Sequence, residues 1–142
     1  MRFDELVAQA DAISSQPQEA HTVDGITERV RVEELPEAEF NGLPFGAIQL
    51  DEEGRILRYN DYESQLSGVE QDSAIGKHFF TELAPCTDVK EFHGRFKAGV
   101  ARKNLNEQFR YHFSFKRNPI DVTVTLFYSE LTKSIWVFVR PV

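Results

Sequence analysis

A single cysteine, Cys86, stands in the segment Ala84-Pro85-Cys86-Thr87-Asp88. Proline fixes the backbone just ahead of the thiol. Asp88, with Glu91 three residues on, reads as an N-cap and its capping-box partner, so the spacing predicts a helix that starts just after Cys86. A thiol near a helix N-terminus is biased towards thiolate, because free N–H groups and the helix dipole favour negative charge. A thiolate attacks an activated acyl group and becomes a thioester. The structural alternative carries more weight on local sequence alone: a free cysteine is more often a small buried hydrophobe. With no second cysteine, an internal disulfide and a cysteine-based zinc site are both excluded.

A second set of residues lies upstream. Tyr59, Glu63 and Ser67 are spaced i, i+4, i+8. If the chain turns helical after Asn60, a phenol, a carboxylic acid and a hydroxyl point roughly the same way. They form a donor set for a buried anion, provided that Glu63 keeps its proton. Burial raises a carboxyl pKa, and a nearby anion raises it further. Spacing alone fits a solvated glutamate on a surface turn better. Other patterns are weaker. Gly76-Lys77 lacks the upstream glycine of a phosphate loop, where Gln71 stands, and His78 replaces the serine or threonine. His78, His93 and His112 lack metal-ligand spacing, and Cys86 with His93 matches no strained nucleophile turn.

The elements that must position these groups belong to a chain of 142 residues, one ordinary domain with room for a real core. Hydrophobic residues make up 41% and charged residues 27%, as expected for a globular protein. Sixteen basic against 23 acidic side chains give a net charge of −7 and a pI near 5.1. A general nucleic-acid binder needs a basic surface, and an anionic membrane repels an acidic one, so neither partner is expected. The longest apolar run, Ile135 to Val139, is far short of a membrane span. The N-terminus shows no apolar signal core. The chain reads as a soluble, reduced, cytoplasmic single domain without a metal.

Phe3, Leu6, Val7, Ala10 and Ile13 fall at helical spacing, so residues 2–13 read as an amphipathic helix ended by Ser14-Ser15-Gln16-Pro17. Residues 18–41 are acidic and mixed. Residues 1–41 are therefore expected to form an N-terminal cap, held less firmly than the domain over residues 42–142. Phe45 to Leu50 reads as a strand, residues 51–54 as a turn and Arg55 to Asn60 as the partner strand. Residues 61–83 hold short helical turns broken by Gly68 and Gly76. Phe92, Phe96, Gly99 and Val100 predict a helix of about three turns that ends near Lys103-Asn104. Phe109, Tyr111, Phe113 and Phe115 alternate on one face of a strand. Val122, Val124, Leu126 and Tyr128 alternate against Thr123, Thr125 and Phe127. Ile135 to Val139 is apolar on both faces, as a central strand is. The order predicts an α+β fold, an antiparallel sheet with helices on one face.

Several blocks carry a resemblance that covers the chain from about Gly42 to Val142. They are Phe45-Gly46-Ala47-Ile48-Gln49-Leu50-Asp51, Ile56-Leu57-Arg58-Tyr59-Asn60, Ile75-Gly76-Lys77-His78-Phe79-Phe80, Ala84-Pro85-Cys86-Thr87-Asp88, Glu91-Phe92-His93-Gly94-Arg95-Phe96-Lys97, Asn104-Leu105-Asn106 and Trp136-Val137-Phe138-Val139. These blocks resemble the photoactive yellow protein family, and the Pro-Cys-Thr-Asp block is far more specific than generic PAS texture. The resemblance implies a PAS fold with a central five-stranded antiparallel sheet and an N-terminal helical cap. It implies a blue-light photoreceptor rather than an enzyme, with p-coumaric acid joined to Cys86 as a thioester. By position, Tyr59 and Glu63 hold the phenolate oxygen and Ser67 supports Tyr59. The Cys86 backbone N–H holds the thioester carbonyl, while Ile48, Phe79, Pro85, Thr87, Tyr111 and Phe113 line the pocket.

The resemblance also implies a photocycle. Light isomerises the vinyl bond from trans to cis, Glu63 passes on its proton, and the cap over residues 1–41 partly unfolds as the signal. Two departures stand out. Val69 occupies the place of an arginine that lids the ring in the family, and Arg117 aligns with a methionine that speeds dark recovery. Slower recovery is expected, or else Arg117 covers the pocket in place of the missing arginine. No linker to an output domain follows Val142, so a separate, unidentified downstream signalling protein is the expected partner. The alternative is a pigment-free PAS module that binds a partner or a small ligand. A flavin-binding PAS domain is disfavoured, because the Asn-Cys-Arg-Phe motif is absent.

Overall fold

The computed structural model describes residues 32–115 and 119–142. The expected helix over residues 2–13, and Arg117, lie outside the described residues. Five strands form one antiparallel sheet: β1 (Gly46–Leu50), β2 (Ile56–Tyr59), β3 (Asn106–Phe113), β4 (Ile120–Ser129) and β5 (Ser134–Pro141). Their order is β2-β1-β5-β4-β3, so the strand that is apolar on both faces is the central one. Alternation sorts its side chains between two cores. Ile135, Val137 and Val139 face one side with Ile48, Leu50, Val122, Val124 and Leu126. Trp136 and Phe138 face the other with Ala47 and Phe127. The register, Ile48 opposite Val137 and Phe127 opposite Trp136, keeps like faces together.

The β1–β2 hairpin closes as its sequence requires. The Asp51 carboxylate accepts N–H bonds from Glu53 (2.8 Å) and Arg55 (2.9 Å). This is the local bonding that makes aspartate a turn residue.

The helical side is built from short pieces. A short helix, α1 (Glu37–Asn41), precedes the sheet, and α2 (Asp61–Ser67) and α3 (Gln71–Ala74) follow the hairpin. Gly68 ends α2 with φ +81°, a left-handed conformation that glycine adopts without strain. Next come a π-type turn over Phe79–Leu83, a 3₁₀ turn over Pro85–Thr87 and a second π-type turn over Lys90–Gly94. The last runs directly into α4 (Arg95–Arg102).

This corrects the expected helix start. The cap position is Val89, and no side chain caps it. Asp88 is diverted: its carboxylate takes the His93 ring at 2.7 Å instead. Cys86 therefore sits within a three-residue turn, four positions ahead of the helical segment.

Residues 32–43 cover the opposite face of the sheet. Val32, Leu35, Phe40 and Leu43 pack on Phe45, Trp136 and Phe138. Arg58 on β2 ties this segment down. Its guanidinium donates to the Leu35 carbonyl (3.2 Å) and to Glu37 (3.1 Å), and it lies 4.0 Å from the centre of the Phe40 ring. No helix among the described residues is long and apolar enough to cross a membrane.

Candidate functional site

The site begins where β2 ends. Tyr59 is paired with Ile48 of β1 and is buried under the helical side. The next residue, Asn60, turns the chain into α2. Its side-chain oxygen accepts the N–H groups of Glu63 and Ala47, each at 3.0 Å. Its amide donates to the carbonyls of Phe45 (2.9 Å) and Phe40 (3.2 Å). One buried side chain thereby caps the helix and joins it to β1 and α1. The helix that follows realises the expected spacing, since Glu63 and Ser67 lie four residues apart on its buried face.

The Tyr59 hydroxyl and Ser67 Oγ are 2.6 Å apart. The Val69 N–H donates to the same Ser67 oxygen at 3.1 Å. Either hydroxyl can supply the proton of the Tyr59–Ser67 bond. Burial, then the nearby Glu63 charge, raises the Tyr59 pKa, while the Ser67 bond opposes the rise. Tyr59 stays protonated at any ordinary pH. Val69 contributes its backbone: its carbonyl accepts from Ser64 at 2.7 Å, and its side chain packs half-buried on the core.

Glu63 is the anomaly. It is fully buried, and neither carboxyl oxygen has a hydrogen-bond partner. Loss of hydration pushes its pKa up to about 8, so it holds a proton at neutral pH. Room for it comes from Gly46 in β1, where an added Cβ would stand 2.1 Å from Glu63 Oε1. A glycine within a strand often marks such a close approach.

Cys86 closes the other part of the site. It is half-buried against the same core cluster that holds Ile48, Tyr59, Phe79 and Phe113. The Tyr111 hydroxyl donates to the Cys86 carbonyl, and the Ser114 N–H approaches Sγ at 3.5 Å. Burial first, then the neighbouring thiol, raises the Tyr111 pKa. Thr87 is buried and donates to the Ala84 carbonyl at 2.6 Å, which braces the turn. Pro85 opens that turn and is exposed, so its part is to shape the backbone.

Phe92 joins the aromatic walls, with ring centres 5.9 Å from Phe79, 5.2 Å from Tyr111 and 6.1 Å from Phe113. Ile48, Tyr59, Val69, Phe79, Cys86, Tyr111 and Phe113 thus share one core cluster, and Glu63, Ser67 and Thr87 are buried, whereas Pro85 is exposed and Arg117 lies outside the described residues. Sequence reasoning missed Asn60, Gly46 and Phe92. The first two carried signals: an asparagine directly before a helix, and a glycine inside an apolar strand. Phe92 was placed in the core but not at the site.

Comparison with known proteins fits this geometry. The model of the PAS fold family matches residues 34–142. The photoactive yellow protein of Rhodothalassium salexigens is 45% identical over 109 residues, 77% of this chain and 87% of that protein. Its counterpart from Halochromatium salexigens is 43% identical over 106 residues, 75% of this chain and 85% of that protein. Among solved structures, the photoactive yellow protein domain of the sensor histidine kinase Ppr from Rhodospirillum centenum superposes with a TM-score of 0.74. It is 42% identical, with 77% of this chain and 96% of that one covered. The PAS domain of the Cronobacter turicensis quorum-sensing receptor RpfR is 14% identical and shares the fold alone, with a TM-score of 0.58 over 69% of this chain and 93% of that one.

Proposed function

The chain belongs to the photoactive yellow protein family of PAS-fold domains, and from that premise we propose that it is a cytoplasmic blue-light photoreceptor, not an enzyme, which carries p-coumaric acid as a thioester on Cys86. The observation that carries this reading is Glu63: a buried, protonated carboxyl with both oxygens unpartnered, near the buried Tyr59 hydroxyl. Nature rarely leaves such groups orphaned. Two O–H donors facing one spot fit a single anionic oxygen, held by short charge-assisted bonds. A phenolate is such an anion, and the apolar and aromatic walls fit the ring behind it.

Attachment exchanges the Cys86 S–H bond for an S–acyl bond, and an activated p-coumaroyl donor loses its leaving group. The bound group supplies a conjugated phenolate that absorbs blue light and a vinyl bond that isomerises from trans to cis. Tyr59 and Glu63 hold its oxygen, Ser67 orients Tyr59, and the Cys86 N–H holds the thioester carbonyl. Phe79, Phe92 and Phe113 keep water out. In the dark Glu63 keeps one proton on a carboxyl oxygen. Release of that proton leaves a buried, unpaired carboxylate, which destabilises the compact state by several kcal/mol. The N-terminal cap expected over residues 1–41 is the element we infer to yield, which alters the surface offered to a downstream signalling protein.

The test is an absorption spectrum after the full-length protein is mixed with an activated p-coumarate. A blue-absorbing band that bleaches under light and recovers in darkness is expected, and Cys86→Ala is expected to stay colourless. An adduct that absorbs only in the near ultraviolet at neutral pH, inert under illumination, overturns the reading. A folded protein that takes up no pigment favours a pigment-free PAS interaction module.

A further inference from the structure

The turn that carries Cys86 is closed by Asp88, whose N–H donates to the Pro85 carbonyl at 3.0 Å. Asp88 is in turn held from outside the turn. His93 Nδ1 lies 2.7 Å from its carboxylate. That ring is itself fixed, because it stacks flat on Phe80 with centres 4.0 Å apart and planes 4° apart. Phe80 meets Phe79 edge-on at 5.0 Å, so the histidine rests on an aromatic wall of the site. The helical geometry explains why the contact exists. The π-type turn over Lys90–Gly94 rotates His93 back towards Asp88, and the expected cap is given up for the pair.

We propose that Asp88 and His93 are positioning residues, a clasp that restrains the Cys86 turn. The clasp concerns the same turn that the photoreceptor reading assigns to the pigment and rests on that reading for its purpose, but its mechanics concern the bare protein. The hydrogen bond to His93 holds the Asp88 carboxyl below its ordinary range, so the carboxylate persists into acid.

Lys97 and His78 also face Asp88, and the His78 ring lies 5.9 Å from His93. His78 Nδ1 accepts the Thr81 N–H at 3.3 Å. Glu82 is bonded to the His78 N–H and to Arg55. The clasp joins the turn to the aromatic wall through the Asp88–His93 contact and the His93–Phe80 stack.

The test reads the alkylation rate of Cys86 by uncharged iodoacetamide in full-length, pigment-free protein, and so does not depend on whether pigment binds. His93→Phe keeps a ring for the Phe80 stack and removes the partner of Asp88. Asp88→Asn removes the charge from the other side and serves if the first variant folds poorly. Each variant is expected to react about threefold faster than the unaltered protein at neutral pH, the scale of a half-exposed pair. The double variant is expected to react no faster than either single one. Rates equal to that of the unaltered protein, or two effects that multiply, overturn the clasp. Failure to take up pigment with these rate differences intact would overturn only the photoreceptor reading.

Discussion

At the scale of single residues, the decisive fit is between Gly46 and Glu63. A methyl group at position 46 would stand 2.1 Å from the Glu63 carboxyl oxygen and 3.3 Å from Val139 Cβ. The first distance forces the carboxyl to move, whereas the second asks only for a small shift. Gly46→Ala is therefore expected to lower stability by about 1–3 kcal/mol, the usual cost of overpacking. In a Glu63→Ala background the same change is expected to cost less than half as much, as urea unfolding of the four proteins would show. Equal costs in both backgrounds would mean that Gly46 serves the strand and not the carboxyl. The shared face of Glu63 and Ser67 was legible because it needs only helical spacing, whereas Tyr59 stands at the end of β2. The Asp88 assignment failed because local sequence offers that carboxylate two partners, a backbone N–H three residues on and an imidazole five residues on. Only the π-type winding decides between them.

At the scale of elements, α2 depends on its cap. Asn60 satisfies two N–H groups and two carbonyls that are otherwise buried, and it links β1, α1 and α2. Loss of a cap alone costs about 1 kcal/mol, and each orphaned buried group adds about 1–3 kcal/mol before relaxation. Asn60→Ala is expected to destabilise by about 3 kcal/mol or more in urea unfolding. Asp61→Ala, next along the chain and exposed, is expected to change little. A loss under 1 kcal/mol for Asn60→Ala would show that water replaces the cap. The strands and α4 could be read from sequence because period 2 and period 3.6 are written in their apolar residues. The turns between Phe79 and Gly94 could not. Phe79, Phe80 and Phe92 are buried by aromatic contacts among themselves, and a cluster of rings imposes no period on the chain.

At the scale of the whole molecule, the same carboxyl that suits a pigment burdens the bare protein. Glu63 has a folded pKa near 8 against an ordinary value of 4.5. Below pH 4.5 it is protonated folded or unfolded and has no effect on the balance. As pH rises past 4.5 the unfolded chain ionises while the folded one cannot, so stability falls until the folded carboxyl also ionises near pH 8. Over that window the loss is roughly 5 kcal/mol, a large share of the stability of a domain this size. Glu52, Glu82 and Asp88 act with the opposite sign, since their pKa values are lowered and their contribution fades only as the solution becomes acidic. Growing negative charge on a chain already at −7 adds a shallow slope of its own. Glu63→Gln separates these terms, because it removes one titration and leaves the others in place. Urea unfolding of the pigment-free protein from pH 4.5 to 8.5 is expected to show a steep decline, and the variant a shallow one, the gap widening by several kcal/mol and levelling off near pH 8. Parallel curves would mean that Glu63 ionises as easily inside the fold as outside it, and a carboxyl of that kind could not hold a proton for an anion beside it.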